Sequence, residues 1–248
     1  MTANLTARQQ RALDMADAAP ADATDDNLDA LLELTRHDDS AVRADAAQGV
    51  EMVAKEHPDL VADRLPDVIG LLHNPSVDVR TFGQDVVGIL GSERPGLLAG
   101  TTAVRHLAQG LTDENEFVRA GAATRLGIVG EAAPDLLSDA AVLDALVAKA
   151  EGDTYTEARA QAVESLEAAA NADPSLIDDR TVERLRTVIE RDDVGGRVET
   201  AVEGIETAWR NRAASAGDGA GTEFCPACGA ELDADPVPNF CRNCGQEL

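Results

Sequence analysis

The 248-residue sequence predicts an all-α protein: a solenoid of about five helical hairpins, capped in front by one helix and followed by a small zinc-binding module. Three observations carry that prediction. An arginine recurs at Arg43, Arg80, Arg119, Arg159 and Arg197, at intervals of 37, 39, 40 and 38 residues. A proline stands fifteen residues after each of the first four, at Pro58, Pro95, Pro134 and Pro174, and a leucine follows each two positions later. The only four cysteines sit together at the C-terminal end as two C-x-x-C pairs. A period near 40 residues marks stacked supersecondary units, because one amphipathic hairpin cannot cover its own apolar face and needs neighbours to do so.

Taken in chain order, the first element is a helix over about 4–18. It reads as a degenerate half-repeat, since Pro20 precedes Arg43 by 23 residues, within the 22–25 of the later proline-to-arginine intervals. Each unit then begins with a short apolar helix: "LDALLELTR", "DVIGLLHN", "AVRHLAQGL", "AVLDALVAKA" and "VERLRTVIE". A second helix starts just before each arginine. Four residues ahead of it stand Asp39, Ser76, Asn115 and Asp193, side chains suited to accept the first free N–H groups of a helix. Tyr155 breaks that series, so the fourth cap is expected to shift to Thr154 or Thr156. Positions −1, +3, +7 and +10 from the arginine are small or apolar, as in Val118, Ala122, Leu126 and Val129, and should face the core. Gly91 and Gly130 fall where a helix stop is wanted.

A helical hairpin of 37–40 residues whose second helix opens on a D-x-x-V-R-like pattern resembles HEAT repeats, in the short alanine-rich form also seen in bilin lyases. The resemblance covers about residues 27–211. It implies a ladder between neighbouring repeats, with Arg43, Arg80, Arg119, Arg159 and Arg197 meeting Asp39 and Asp193; Ser76, Asn115 and Tyr155 depart from it. It also implies that the second helices line the inner surface and offer a contact ridge. Positions +2, +5 and +6 point away from the core, and the candidate partner-binding set is Asp45, Gln48, Asp85, Arg125, Gln161 and Glu164. Reversing the charges of Asp45, Asp85 and Glu164 together is expected to abolish partner capture while leaving helicity and melting temperature unchanged. The competing reading is a merely solvated face.

Residues 1–211 are therefore assigned to the solenoid, 212–222 to a flexible linker and 223–248 to the metal module. In that module "FCPACGAEL" recurs as "FCRNCGQEL" sixteen residues later. Cys225, Cys228, Cys241 and Cys244 supply four thiolates in two tight turns, the donor set of one tetrahedral Zn2+. Two disulfides or a redox pair are the alternatives; a redox pair needs a single C-x-x-C, ordinarily beside a βαβ unit. The stretch resembles the short double zinc ribbons at the ends of many bacterial and archaeal proteins, which implies one structural Zn2+ with no open position.

Composition bears on the setting. Net charge is −25, with 46 acidic against 21 basic residues; Lys55 and Lys149 are the only lysines, and six residues are aromatic. That pattern fits the cytosol of an extreme halophile, where a carboxylated surface stays hydrated in molar salt. An acidic protein that binds basic partners is the alternative. The N-terminus has no apolar run of signal-peptide length, and no window is apolar enough to span a membrane, so a cytoplasmic location is expected. No nucleotide-binding or nucleophile motif occurs, and none of His37, His57, His73 and His106 pairs at helical spacing, so no enzyme is expected. Two functions remain: a protein-interaction scaffold, or a nucleic-acid- or transcription-associated regulator. The second is disfavoured by the tail's charge, five acidic residues from Glu223 to Glu247 against Arg242.

Overall fold

The computed structural model describes residues 5–18, 20–190 and 195–219, with side chains through position 212. It is an all-helical repeat solenoid, with no strand among the described residues. The helix α1 (Ala7–Ala18) buries Ala12 and Ala16 against the first hairpin, as the capping element predicts. The hairpins follow as α2 (Asp25–Leu34) with α3 (Ser40–Glu56), then a short α4 (Pro58–Ala62), and α5 (Leu65–Leu71) with α6 (Val77–Glu93). Next come α7 (Ala103–Gln109) with α8 (Glu116–Ala132), α9 (Ala140–Gly152) with α10 (Thr156–Ala172), and α11 (Asp179–Ile189) with α12 (Gly196–Gly219). The second helices α3, α6, α8, α10 and α12 pack each on the next as one layer, and α5, α7, α9 and α11 run along the other side.

The register read from the arginines holds in the first four units and fails in the fifth: counted from Arg197, Gly196, Thr200 and Thr207 are exposed, and α12 buries Val198, Ala201, Val202 and Ile205 instead. The helices α3, α6, α8 and α10 each begin three residues before the arginine and run for 17 residues. Their −1, +3, +7 and +10 positions are all buried, including Leu90, Leu126 and Leu166. The residue before each repeat proline closes the second helix, and the proline opens a short helical turn at its first position, where its missing N–H leaves no bond unmade.

Several local expectations change. Asp39 and Asn115 cap their helices through the side chain, but Ser76 does not, and Tyr155 keeps the cap position without passing it to Thr154 or Thr156. What holds the cap residue is the side chain two positions earlier. Asn74 accepts from the Ser76 N–H at 2.9 Å, Asp113 from Asn115 at 2.8 Å and Asp153 from Tyr155 at 2.8 Å. The imidazole Nδ1 of His37 accepts from Asp39 at 3.0 Å in the same way. Gly91 and Gly130 are not stops: both lie inside their helices at negative φ. A side chain at Gly91 would strike Val129, and one at Gly130 would strike Leu137, so these glycines let helices approach closely. The stretch assigned to a linker is helical through Gly219, because Ala213, Ala214 and Ala216 extend α12 instead of ending it. Asp193 and the 223–248 module lie outside the described residues.

The ladder exists with different acids. Arg80 donates from Nη2 to Asp113 at 2.9 Å. Arg119 grips Asp153 with Nε at 2.7 Å and Nη2 at 2.9 Å. Each acid lies six residues before the next repeat's arginine, not four, and it is the same residue that anchors the cap. Asp39 faces its own helix instead. Arg43, Arg80, Arg119 and Arg159 each also donate Nη1 to the carbonyl six residues behind, as Arg43 does to His37 at 2.7 Å and Arg159 to Asp153 at 3.1 Å. One side chain thus closes its own hairpin's turn, and in Arg80 and Arg119 it also ties that hairpin to the next.

Candidate partner-binding face

The second-helix layer presents positions +2, +5 and +9 outward. At +9 stand Met52, Ile89, Ile128 and Ala168, one per repeat and all half-buried. They form an apolar row across α3, α6, α8 and α10. Two grooves lie along it. The first, about 250 Å³, is lined by Glu51, Lys55, Asp85, Ile89, Arg125 and Ile128. The second, about 480 Å³, is lined by Ala168, Asn171 and three carboxylates, Glu131, Glu164 and Glu167. Burial, with Glu164 nearby, pushes the Glu167 carboxyl above its ordinary range. A cleft of about 520 Å³ on the other side, between α9 and α11, is lined by Leu143, Leu176, Asp144 and Arg180 among others.

The six residues read as a partner surface do not form one group. Asp45 and Gln48 stand exposed on α3. Asp85 and Arg125 pair across α6 and α8 at 2.5 Å; burial raises the Asp85 carboxyl, and Arg125 opposes that rise. Gln161 accepts from the Thr124 hydroxyl at 2.8 Å and donates to Glu157 at 2.8 Å. Glu164 accepts from Arg197 at 2.8 and 2.9 Å, and Glu157 shares the same guanidinium. These bonds, chiefly with Glu164, raise the Arg197 pKa. Asp85, Arg125, Gln161 and Glu164 therefore hold neighbouring second helices together. Reversing Asp85 or Glu164 would set like charge against Arg125 or Arg197, so the expectation of unchanged stability does not stand. The sequence carries a signal for this apolar row, one apolar or small residue nine positions after each of the first four arginines, which polarity alone does not pick out.

Among the described residues no group of three or more histidine, cysteine, aspartate or glutamate side chains could hold a metal ion. Cys225, Cys228, Cys241 and Cys244 lie outside them. Also among the described residues, no helix is long and apolar enough to cross a membrane.

No protein-family model and no curated protein matches the chain. Solved structures do. An engineered protein is similar at a TM-score of 0.60 and 20% identity, over 85% of this chain and 95% of that one. A computationally designed armadillo repeat protein for modular peptide recognition is similar at 0.61 and 16%, over 81% and 92%. A designed armadillo repeat protein in complex with a (KR)4 peptide is similar at 0.58 and 15%, over 83% and 95%. At these identities the likeness is one of fold.

Proposed function

We propose that the chain is a non-catalytic protein-interaction scaffold of HEAT-like repeats, which receives an extended segment of a protein partner across α6, α8 and α10. The observation that carries this reading is the in-register apolar row of Ile89, Ile128 and Ala168 between two open grooves. The carboxylates Glu131 and Glu167 at one end suit basic residues in such a segment. The peptide recognition of designed proteins with this fold supports the same use of the face. Changing Ile89 and Ile128 together to glutamate is expected to lower partner capture from native high-salt lysate at least tenfold, by removing apolar contact at the centre of the face. Helical circular dichroism should be unchanged, since both side chains are half-buried. Undiminished capture by the double variant would sink the reading. Capture that disappears on nuclease treatment would instead support the nucleic-acid-associated alternative.

The tail is proposed to bind one structural Zn2+ through Cys225, Cys228, Cys241 and Cys244. Chelation should then release one equivalent of zinc and leave the helical signal of the solenoid in place, because metal binding and folding are one equilibrium in so small a module. Metal content near zero, or loss of the solenoid's helicity in chelator, would refute this.

The cytosol of a halophile is the proposed setting. The arginines are heavily engaged between hairpins, yet 46 carboxylates face 21 basic side chains, and the excess repels itself. The melting temperature is expected to rise strongly from about 0.1 M to above about 1 M KCl, where the screening length falls from ~10 Å to ~3 Å. A flat response would return the charge to a role in binding basic partners.

A further inference from the structure

Along the first-helix side, neighbouring hairpins are joined by arginine–carboxylate pairs: Arg36 with Asp67, Arg105 with Asp139, and Arg184 with Glu151. One joint is built differently. His73, just past the end of α5, meets His106 of α7, with Nε2 of the first 2.9 Å from Nδ1 of the second. The rings stand edge to face, their centroids 5.1 Å apart. His73 is exposed and His106 half-buried, so the two nitrogens are reachable from solvent.

We propose that His73 and His106 form a chelating site for a borderline divalent transition cation such as Ni2+, Cu2+ or Zn2+. In the pair as it stands, one imidazole N–H donates to the lone pair of the other; to bind a cation, that ring would shift its proton to its far nitrogen, so that both facing nitrogens offer lone pairs to an ion set to one side of the line between them. Two nitrogens bound to one ion at about 2.0–2.1 Å stand about 2.9 Å apart when the angle at the metal is square, and about 3.3 Å apart when it is tetrahedral. The observed spacing already matches the square case; each ring has to turn by about 45°, from facing the other nitrogen to facing the ion, without the nitrogens moving apart. Imidazole nitrogen suits these cations, whereas Mg2+ and Ca2+ seek oxygen ligands. Water would fill the remaining positions. The ion would tie the hairpin of α5 and α6 to that of α7 and α8, as Arg105 and Asp139 tie the next joint.

The test uses the full chain with its cysteines first saturated by one equivalent of Zn2+. Titration with NiCl2 at neutral pH is followed by calorimetry and by the visible absorption of Ni2+. One Ni2+ per chain is expected to bind. His73→Ala and His106→Gln should each weaken that binding about 100-fold, because losing either imidazole removes the intramolecular second contact. Far-UV circular dichroism confirms that each variant is folded. No uptake of Ni2+, uptake unchanged in both variants, or loss in one variant alone would each overturn the chelate.

Discussion

Asp153→Ala is expected to destabilise the solenoid by about 3–5 kcal/mol, the range for removing one partner of a buried ion pair. The Asp153 side chain is 1% exposed and receives Arg119, Lys149 and the Tyr155 N–H together. Truncating it would leave the guanidinium of Arg119 without its acid, unseat the start of α10 and cut the tie between the third and fourth hairpins. Arg105→Ala is the internal control. Its pair with Asp139 is open to solvent, so the change should stay within about 1 kcal/mol. Urea unfolding of the three proteins in the same salt measures both. Equal effects of the two substitutions would show that the buried rung has no special weight.

The same carboxylate has a signature in pH. Burial alone would raise its pKa, but the hydrogen bonds from Arg119, Lys149 and Tyr155 outweigh burial and hold it well below the usual carboxylate range. A depressed folded-state pKa contributes stability that is complete above the unfolded value and is lost as pH falls through the folded one. The advantage of the wild type over Asp153→Asn should therefore be full above about pH 4 and shrink below it. An advantage that does not change with acid would contradict the assignment.

The second large effect is expected at Gly127, where α8 packs directly on Ser165 of α10. A Cβ there would lie 2.7 Å from the Ser165 hydroxyl and 3.0 Å from the Ser165 Cα, so backbone as well as side chain stands in the way. The hydroxyl of Ser165 is buried and lies 2.6 Å from the carbonyls of both Ala123 and Gln161, which leaves it little room to turn aside. Gly127→Ala gains about 1 kcal/mol in helix propensity. Overpacking should still make it a net loss of about 1–3 kcal/mol. Adding Ser165→Gly should recover part of that loss, because the space moves from one helix to the other. A double-mutant cycle in urea measures the coupling. Strict additivity would mean that the two positions do not compete for the same space.

The repeat frame was legible because it rests on residues that recur. The arginine and the proline set the register, and in the first four units every core position counted from them is buried; Arg197, which has no repeat proline after it, does not keep that register. The ladder's acid was not legible, because its position holds His37, Asn74, Asp113 and Asp153 in turn. Each can accept a hydrogen bond from the cap N–H, so the backbone requirement is met by four different residue types and no pattern repeats. Gly91 and Gly130 misled for a related reason: near the end of a helix, a glycine for close packing looks like a glycine for a stop. The partner face was read by polarity, which picked out Asp85, Arg125 and Glu164 although these spend their charge on neighbouring helices. His73 and His106 lie 33 residues apart, and only the stacking of hairpins brings them together.

The rung also bears on how such a chain can change length. Asp113 answers Arg80, and Asp153 answers Arg119. Suppose residues 113–152 were copied in tandem. The first Arg119 would then find the copied Asp113 where Asp153 had been, and the copied Arg119 would find Asp153. No rung of that ladder would be left open at either join, since each unit touches only its neighbours. Gene duplication could thus lengthen the molecule by whole units with the ladder intact, whereas an insertion within a packed helix would turn a buried guanidinium away from its acid. Descendants of one ancestral hairpin would inherit the length of the unit more strictly than the identity of its side chains.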